Sequence, residues 1–110
     1  MANKYINKAF DLSTTGATTI YTVPAETVAI VKAVQAYNDT ASAVTVTMSF
    51  TDTSASTTYN IGYATSSTVQ QFSLLSDSLL VLEESDILKL TASVGTQVTG
   101  VASILEQDRT

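Results

Sequence analysis

The stretch Val44–Thr51, VTVTMSFT, alternates without a break: Val44, Val46, Met48 and Phe50 fall on one side, Thr45, Thr47, Ser49 and Thr51 on the other. A period of two carried by β-branched residues marks a strand with one buried face; a helix would scatter both sets around its circumference. The same grammar recurs along the chain. YINKAFDL aligns Ile6, Lys8, Phe10 and Leu12; TTYNIGYA aligns Tyr59, Ile61 and Tyr63; TVQQFSLL aligns Phe72 and Leu74. LLVL, ILKLTASV and QVTGVASIL are further apolar runs, and STTG, TDTSAST, EESD and Gly95 interrupt the chain between them. Eight or nine short strands at intervals of about 8–12 residues, with no capped helical pattern, predict an all-β antiparallel β-sandwich. Periodicity does not separate a jelly-roll from an immunoglobulin-like topology. At 110 residues the chain is one domain by length. Residues 13–110 are read as the sandwich, and residues 1–12 as an N-terminal strand or docking arm.

The only proline, Pro24, sits between Tyr21–Val23 and Val28–Tyr37. Proline presets φ for a turn, so a hairpin or corner is expected there. The strand after it is apolar on both sides: Val28, Ile30, Val34 and Ala36 on one, interrupted by Lys32, and Ala29, Val31, Ala33 and Tyr37 on the other. The last strand is similar, with Val98, Ala102 and Ile104 opposite Val101 and Leu105. A β-bulge near Lys32, burial of both faces within the monomer, or packing against another subunit would each account for this. The third is preferred, because a two-layer domain of this size has little material for a third layer. Ala29, Val31, Ala33, Tyr37, Val101 and Leu105 are therefore expected to form a homo-oligomer interface.

Composition narrows the chemistry. The chain has no Cys, His or Trp. Disulfides, thiolate nucleophiles, the commonest general base and the commonest transition-metal ligand are thereby removed. Only 14% of residues are charged, with a net charge of −5. The five basic residues, Lys4, Lys8, Lys32, Lys89 and Arg109, form no cluster, so nucleic acid is not an expected partner. No run approaches the ~20 apolar residues of a membrane span, and MANKYINKAF lacks the apolar run of a signal peptide, so folding in a cytoplasm is expected. Glu83, Glu84 and Asp86, with Asp77 nearby, suggest a calcium loop or a glycosidase-like pair at most. The plainer expectation is a solvated turn between apolar strands. Tyr5, Tyr21, Tyr37, Tyr59 and Tyr63 could stack on sugar rings, but tyrosine on a strand is also ordinary packing. The glycines show no phosphate-binding spacing. Asn38-Asp39-Thr40 fits a glycosylation sequon but carries no weight without a secretion signal. No catalytic, cofactor-binding or metal-binding residue is expected.

Two segments carry a resemblance. TTIYTVPAETVAIVKAVQAYNDTASAVTVTMSFTD resembles small structural proteins of tailed bacteriophages, in which lYTVPAgttAiVksi leads through a vtNts turn into an avtVtl strand. LLVLEESDILKLTAS is similar to their closing strand pair pLvLeaGDsLkv, with Ser85 in place of the Gly before Asp86. The match runs from Thr18 onward over most of the chain. It implies a non-enzymatic virion component, assembled in the host cytoplasm: a capsid decoration (cement) protein on the outer head shell, as a trimer or another small oligomer. A tail, neck or fibre subunit is the alternative, and a glycan-binding sandwich module a further one. The implied partner is the major capsid protein or another virion protein. Residues 2–12 precede the matching part and carry Lys4 and Lys8 beside Ile6 and Phe10. These four are the candidate docking residues of an arm that adds a strand to a partner's sheet edge.

Overall fold

The computed structural model describes residues 3–12, 14–39, 43–75, 79–93 and 98–108. Thr40, Asp77, Gly95 and Arg109, named above from the sequence, lie outside them. The described residues form nine strands and no helix: β1 (Asn3–Leu12), β2 (Thr18–Thr22), β3 (Thr27–Asn38), β4 (Val44–Asp52), β5 (Thr57–Ser66), β6 (Gln70–Leu75), β7 (Leu80–Leu82), β8 (Ile87–Ala92) and β9 (Val98–Asp108). They make two antiparallel sheets. The first runs β1-β9-β3-β6, with β7 also paired to β3; the second runs β2-β8-β4-β5. β7 and β6 share one edge of β3, at Ala29–Val31 and Val34–Asn38 respectively. Counted as one interrupted strand, they leave four strands per sheet. The chain crosses between sheets at nearly every connection, so β1 and β2 lie in different sheets. An immunoglobulin-like sandwich keeps its first two strands in one sheet. This order is that of a jelly roll.

The inner faces meet over Leu12, Val31, Val46, Leu88, Leu90 and Ile104, all at most 1% exposed. Pro24 marks a corner, not a hairpin: residues 23–26 carry the chain from the second sheet to the first. The Val23 amide donates to the Asp86 carbonyl (3.0 Å) and the Ser85 amide to the Val23 carbonyl (3.1 Å), fastening this corner to the β7–β8 turn. Each turn holds a non-glycine residue in the left-handed region, Glu26 at φ 57° and Ser85 at φ 72°.

Two bulges correct the face assignments. Along β3 and β9 the register passes from Val31↔Ile104 to Ala33↔Ser103, so Lys32 is the extra residue. An inserted residue reverses the alternation. Ala29 and Val31 before it, and Val34 and Ala36 after it, all point into the core, with exposures of 0–1%. The expectation that Ala29 and Val31 lie at a subunit surface is thereby overturned; the outward residues are Val28 and Ile30, then Lys32, Ala33, Gln35 and Tyr37. The bulge accounts for part of the two-sided sequence of β3; Val28 and Ile30 on β3, and Val101 and Leu105 on the unbulged β9, remain apolar on the outer face. Along β4 and β5 the register passes from Met48↔Gly62 to Ser49↔Asn60, leaving Ile61 extra. Tyr59 therefore turns toward Phe50, ring centroids 5.8 Å apart, while Tyr63 stands opposite Thr47 on the outer face. Tyr59, Ile61 and Tyr63 do not share one face.

The segment Asn3–Leu12 is an edge strand of the first sheet, paired with β9 along its full length. Phe10 is 8% exposed and Leu12 is fully buried. Phe10 lies in register with Gly100, which in turn lies opposite Ala36. A Cβ on Gly100 would collide with the Gln35 carbonyl oxygen and sit 2.6 Å from Phe10 Cζ and 2.9 Å from Ala36 Cα. The absent side chain is what lets the ring settle between the strands. Phe10 belongs to this core and is not available for docking, because removing it would open the cavity it fills.

Candidate interaction surface

Residues directly opposite in an antiparallel pair share a face. The pairings Tyr5↔Leu105, Leu105↔Ile30 and Ile30↔Val81 therefore place four apolar side chains in one row across β1, β9, β3 and β7, on the outside of the first sheet. Tyr5 is 74% and Val81 59% exposed at the two ends; Leu105 and Ile30 are half-buried between them. Val28 flanks the row on one side and Ala33 on the other, with Val101 and Tyr37 further along the strands. The described strand residues of this face include only two charges, Lys32 and Asp11. Because the bulge turns Lys32 outward, its ammonium reaches over the Tyr5 ring, 5.7 Å from the centroid. That cation–π geometry carries the charge toward the sheet edge. Beyond the row, Gln35, Tyr37, Gln71 and Val101 line a shallow groove of about 380 Å³ whose floor is the backbone at Ala36 and Gly100.

Of the residues expected at an interface, Ala33, Tyr37, Val101 and Leu105 thus lie on this outer face and Ala29 and Val31 do not. Tyr5, Val28, Ile30 and Val81 were not expected there. Of the docking candidates, Lys4 and Lys8 are exposed on the edge strand, Ile6 is half-buried against the core, and Phe10 is inside it.

The acidic turn is more than a solvated loop. Asp86 is only 5% exposed. Its Oδ1 accepts the Thr53 amide (3.2 Å) and its Oδ2 the Glu83 amide (3.0 Å). Glu84 Oε1 accepts the Glu26 amide (3.0 Å), and Thr53 Oγ1 donates to the Ser85 carbonyl (2.6 Å). These carboxylates tie three connections together at one end of the sandwich, satisfying amides that no strand reaches. Among the described residues no group of three His, Cys, Asp or Glu side chains is arranged to hold a metal ion. Asn38, fully buried, donates to the Thr68 carbonyl (3.1 Å) and so pins the β5–β6 crossover. Its burial also argues against modification of the sequon's asparagine in the folded chain.

Tyr21 joins the sheets. Its hydroxyl, from β2, donates to Glu106 Oε2 on β9. Burial first, then the hydrogen bond to the Glu106 carboxylate and its charge, pushes the phenol well above the usual tyrosine range. An acid within a β-strand gives no sequence sign of such a bridge, and Glu106 was not among the residues singled out from the sequence.

No protein-family model matches the sequence, and no characterised protein matches it. Solved structures do share its fold. A protein of the Bacillus endospore appendages, a family of disulfide-linked pili, superposes with a TM-score of 0.50 at 13% identity, covering 96% of this chain and 84% of that one. Eiger TNF from S. frugiperda superposes with a TM-score of 0.53 at 11% identity, covering 96% and 94%. At these identities the likeness concerns the β-sandwich alone.

Proposed function

We propose that the chain is a non-enzymatic structural component of a tailed-bacteriophage particle, a decoration protein bound to the outer head shell as a small homo-oligomer. Its partners are the major capsid protein, or another virion protein, and further copies of itself. The observation that carries the reading is the apolar row Tyr5–Leu105–Ile30–Val81, which gives a weakly charged sandwich a face suited to burial in an assembly. The sequence likeness of Thr18–Asp52 and Leu79–Ser93 to phage structural proteins supplies the kind of assembly. A net charge of −5 disfavours adhesion to packaged DNA. The test is location: antibody label or extra density should appear on the head shell. Density confined to the tail, neck or fibres moves the assignment there, and absence from purified particles overturns it.

One observation favours a second reading. The groove beside Tyr37 offers a 41%-exposed aromatic ring with the amides of Gln35 and Gln71, a combination that suits a sugar. A glycan array tests it, and retention of a hit by Tyr37→Ala would remove the groove from consideration.

A further inference from the structure

We propose that a second copy of this chain covers the outer face of the first sheet, packed face to face about a two-fold axis running along the strands between β9 and β3. The inference deepens the assembly reading and rests on it only for the expectation that this chain assembles.

Four observations converge on this arrangement. First, the face is self-complementary under that axis. β1 of one protomer falls over β7 of the partner, and β9 over β3. Tyr5 then meets Val81 of the partner subunit, and Leu105 meets Ile30 of the partner subunit. The two most exposed members of the row, one large ring and one small branched side chain, cover each other. The two half-buried members close the centre. Isologous contacts require such reciprocity.

Second, the area suffices. Four strands about 4.8 Å apart and about nine residues rising ~3.3 Å each give a footprint on the order of 600 Å². With side-chain relief, that approaches the roughly 800 Å² per partner of a standard interface. Aligned sheets stacked about 10 Å apart are also the ordinary way for two such faces to pack.

Third, the charges permit it. Lys32 and Asp11 are opposite in sign, so the described strand residues of the face carry no net charge although the chain is acidic. Lys32 lies over Tyr5 toward the edge strand and keeps its ammonium at the rim of the contact. Fourth, edge-to-edge association by this sheet is blunted. Edge strand β1 carries Lys4, Lys8 and Asp11, and the opposite edge is made of two short strands, β6 and β7, paired to different parts of β3. The face is the route to association that remains open to this sheet.

Sedimentation of the purified chain over a wide concentration range should show a reversible monomer–dimer equilibrium. Tyr5→Asp and Val81→Asp change exposed positions, so each variant should keep its circular dichroism and melting temperature. Each should weaken the dimer by at least about tenfold. Tyr63→Asp alters an equally exposed tyrosine, 75%, on the outer face of the other sheet and should leave dimerisation unchanged. The chain has no cysteine, so Tyr5→Cys and Val81→Cys each introduce a sole thiol. A short bis-maleimide should link a mixture of the two variants into a dimer, and neither variant alone. A protein that stays monomeric, a dimer indifferent to Tyr5→Asp and Val81→Asp, or a trimer whose mixed thiol variants do not cross-link each overturns the proposal. A monomer would also remove the homo-oligomer from the proposed function, but none of these results bears on whether label is found on phage heads, so the virion assignment fails separately.

Discussion

The two outer faces of this sandwich solve the same problem differently. On the second sheet, the row Thr91, Thr47, Tyr63 and the row Thr22, Ile87, Thr51, Thr58 are built mostly of threonine. Threonine hydroxyls pair across strands, Thr45 with Thr65 at 3.0 Å and Thr51 with Thr58 at 2.7 Å. A threonine keeps the branched Cβ that suits a pleated strand and still presents a hydroxyl to water. The outer row of the first sheet uses Ile30, Leu105 and Val81, which suit the strand equally well but leave apolar surface uncovered. Backbone preference alone therefore does not distinguish the faces; the apolar surface left uncovered on the first sheet does. Lone apolar residues such as Ile87 are unremarkable on a surface, whereas a row spanning four strands is not.

The largest expected effect contrasts the backbones of the two sheets. Each has a glycine within a strand, Gly100 on β9 and Gly62 on β5. A side chain on Gly100 meets Phe10, Ala36 and the Gln35 carbonyl, while one on Gly62 meets nothing within 4 Å. Gly100→Ala should cost about 3 kcal/mol, since two of the obstacles are backbone and cannot rotate away. Gly62→Ala, with open space and no positive φ, should leave stability unchanged or raise it by up to about 1 kcal/mol. Denaturant midpoints measure both; comparable losses would mean that the first sheet is not locked at Gly100.

The next effect concerns the bond that holds the sheets to each other. The Tyr21 phenol is harder to ionise in the folded chain than in the unfolded one. Its contribution is fully present below the unfolded tyrosine value near 10 and declines as pH rises beyond it toward the folded value. The native chain should lose about 1.4 kcal/mol of stability per pH unit above that point from this residue. Tyr21→Phe should remove that share of the slope while leaving the other four tyrosines to titrate. Urea melts of both proteins at neutral and strongly alkaline pH make the comparison, and parallel slopes would contradict the bridge.

A smaller effect converts one face into the other. Ile30→Thr with Leu105→Thr should reproduce the threonine pattern on the first sheet. Both side chains are only half-buried, so the monomer should lose less than about 2 kcal/mol in total. Self-association should fall well beyond what that loss explains. If association survives in sedimentation, the apolar character of the row is irrelevant to it.

The inner faces were legible in the sequence because alternation survives wherever a strand is regular. Val44, Val46 and Met48 are buried as their spacing demands. The outer row was not legible, for two physical reasons. Side-chain phase depends on every residue being paired, and one unpaired residue inverts the phase of all later residues in its strand. Lys32 is such a residue: its charge within an apolar run made a bulge there one of the three readings, but neither it nor its neighbours is a glycine or proline that would decide for the insertion. At Ile61 the adjacent Gly62 did offer a sign. The row also requires β7 beside β3 and β9 beside β1, pairings that join residues far apart in sequence. Asp86 was visible as a turn acid, but its inward orientation depends on an amide contributed by Thr53, more than thirty positions earlier.

The smallest expected effect lies at the corners joining the sheets. Ser85 holds φ 72° in the turn between β7 and β8. A side chain in the left-handed region costs about 1 kcal/mol or more through crowding of Cβ against the backbone, and glycine avoids that cost. Glycine also loses more conformational freedom on folding, which returns part of the gain. The Ser85 side chain makes none of the bonds described at this turn. Its amide donates to the Val23 carbonyl and its carbonyl accepts from Thr53, and glycine keeps both. Ser85→Gly should therefore stabilise the chain by about 0.5 kcal/mol, seen as a higher urea midpoint with an unchanged slope. Glu26→Gly, at φ 57° on the corner leading back to the first sheet, should behave alike, because its bond to Glu84 also runs from the backbone amide. Neither Ser85 nor Glu26 belongs to the row Tyr5–Leu105–Ile30–Val81, so the gain should leave any self-association through that row unchanged. A midpoint that falls in Ser85→Gly would show that the serine side chain contributes more than the strain it imposes.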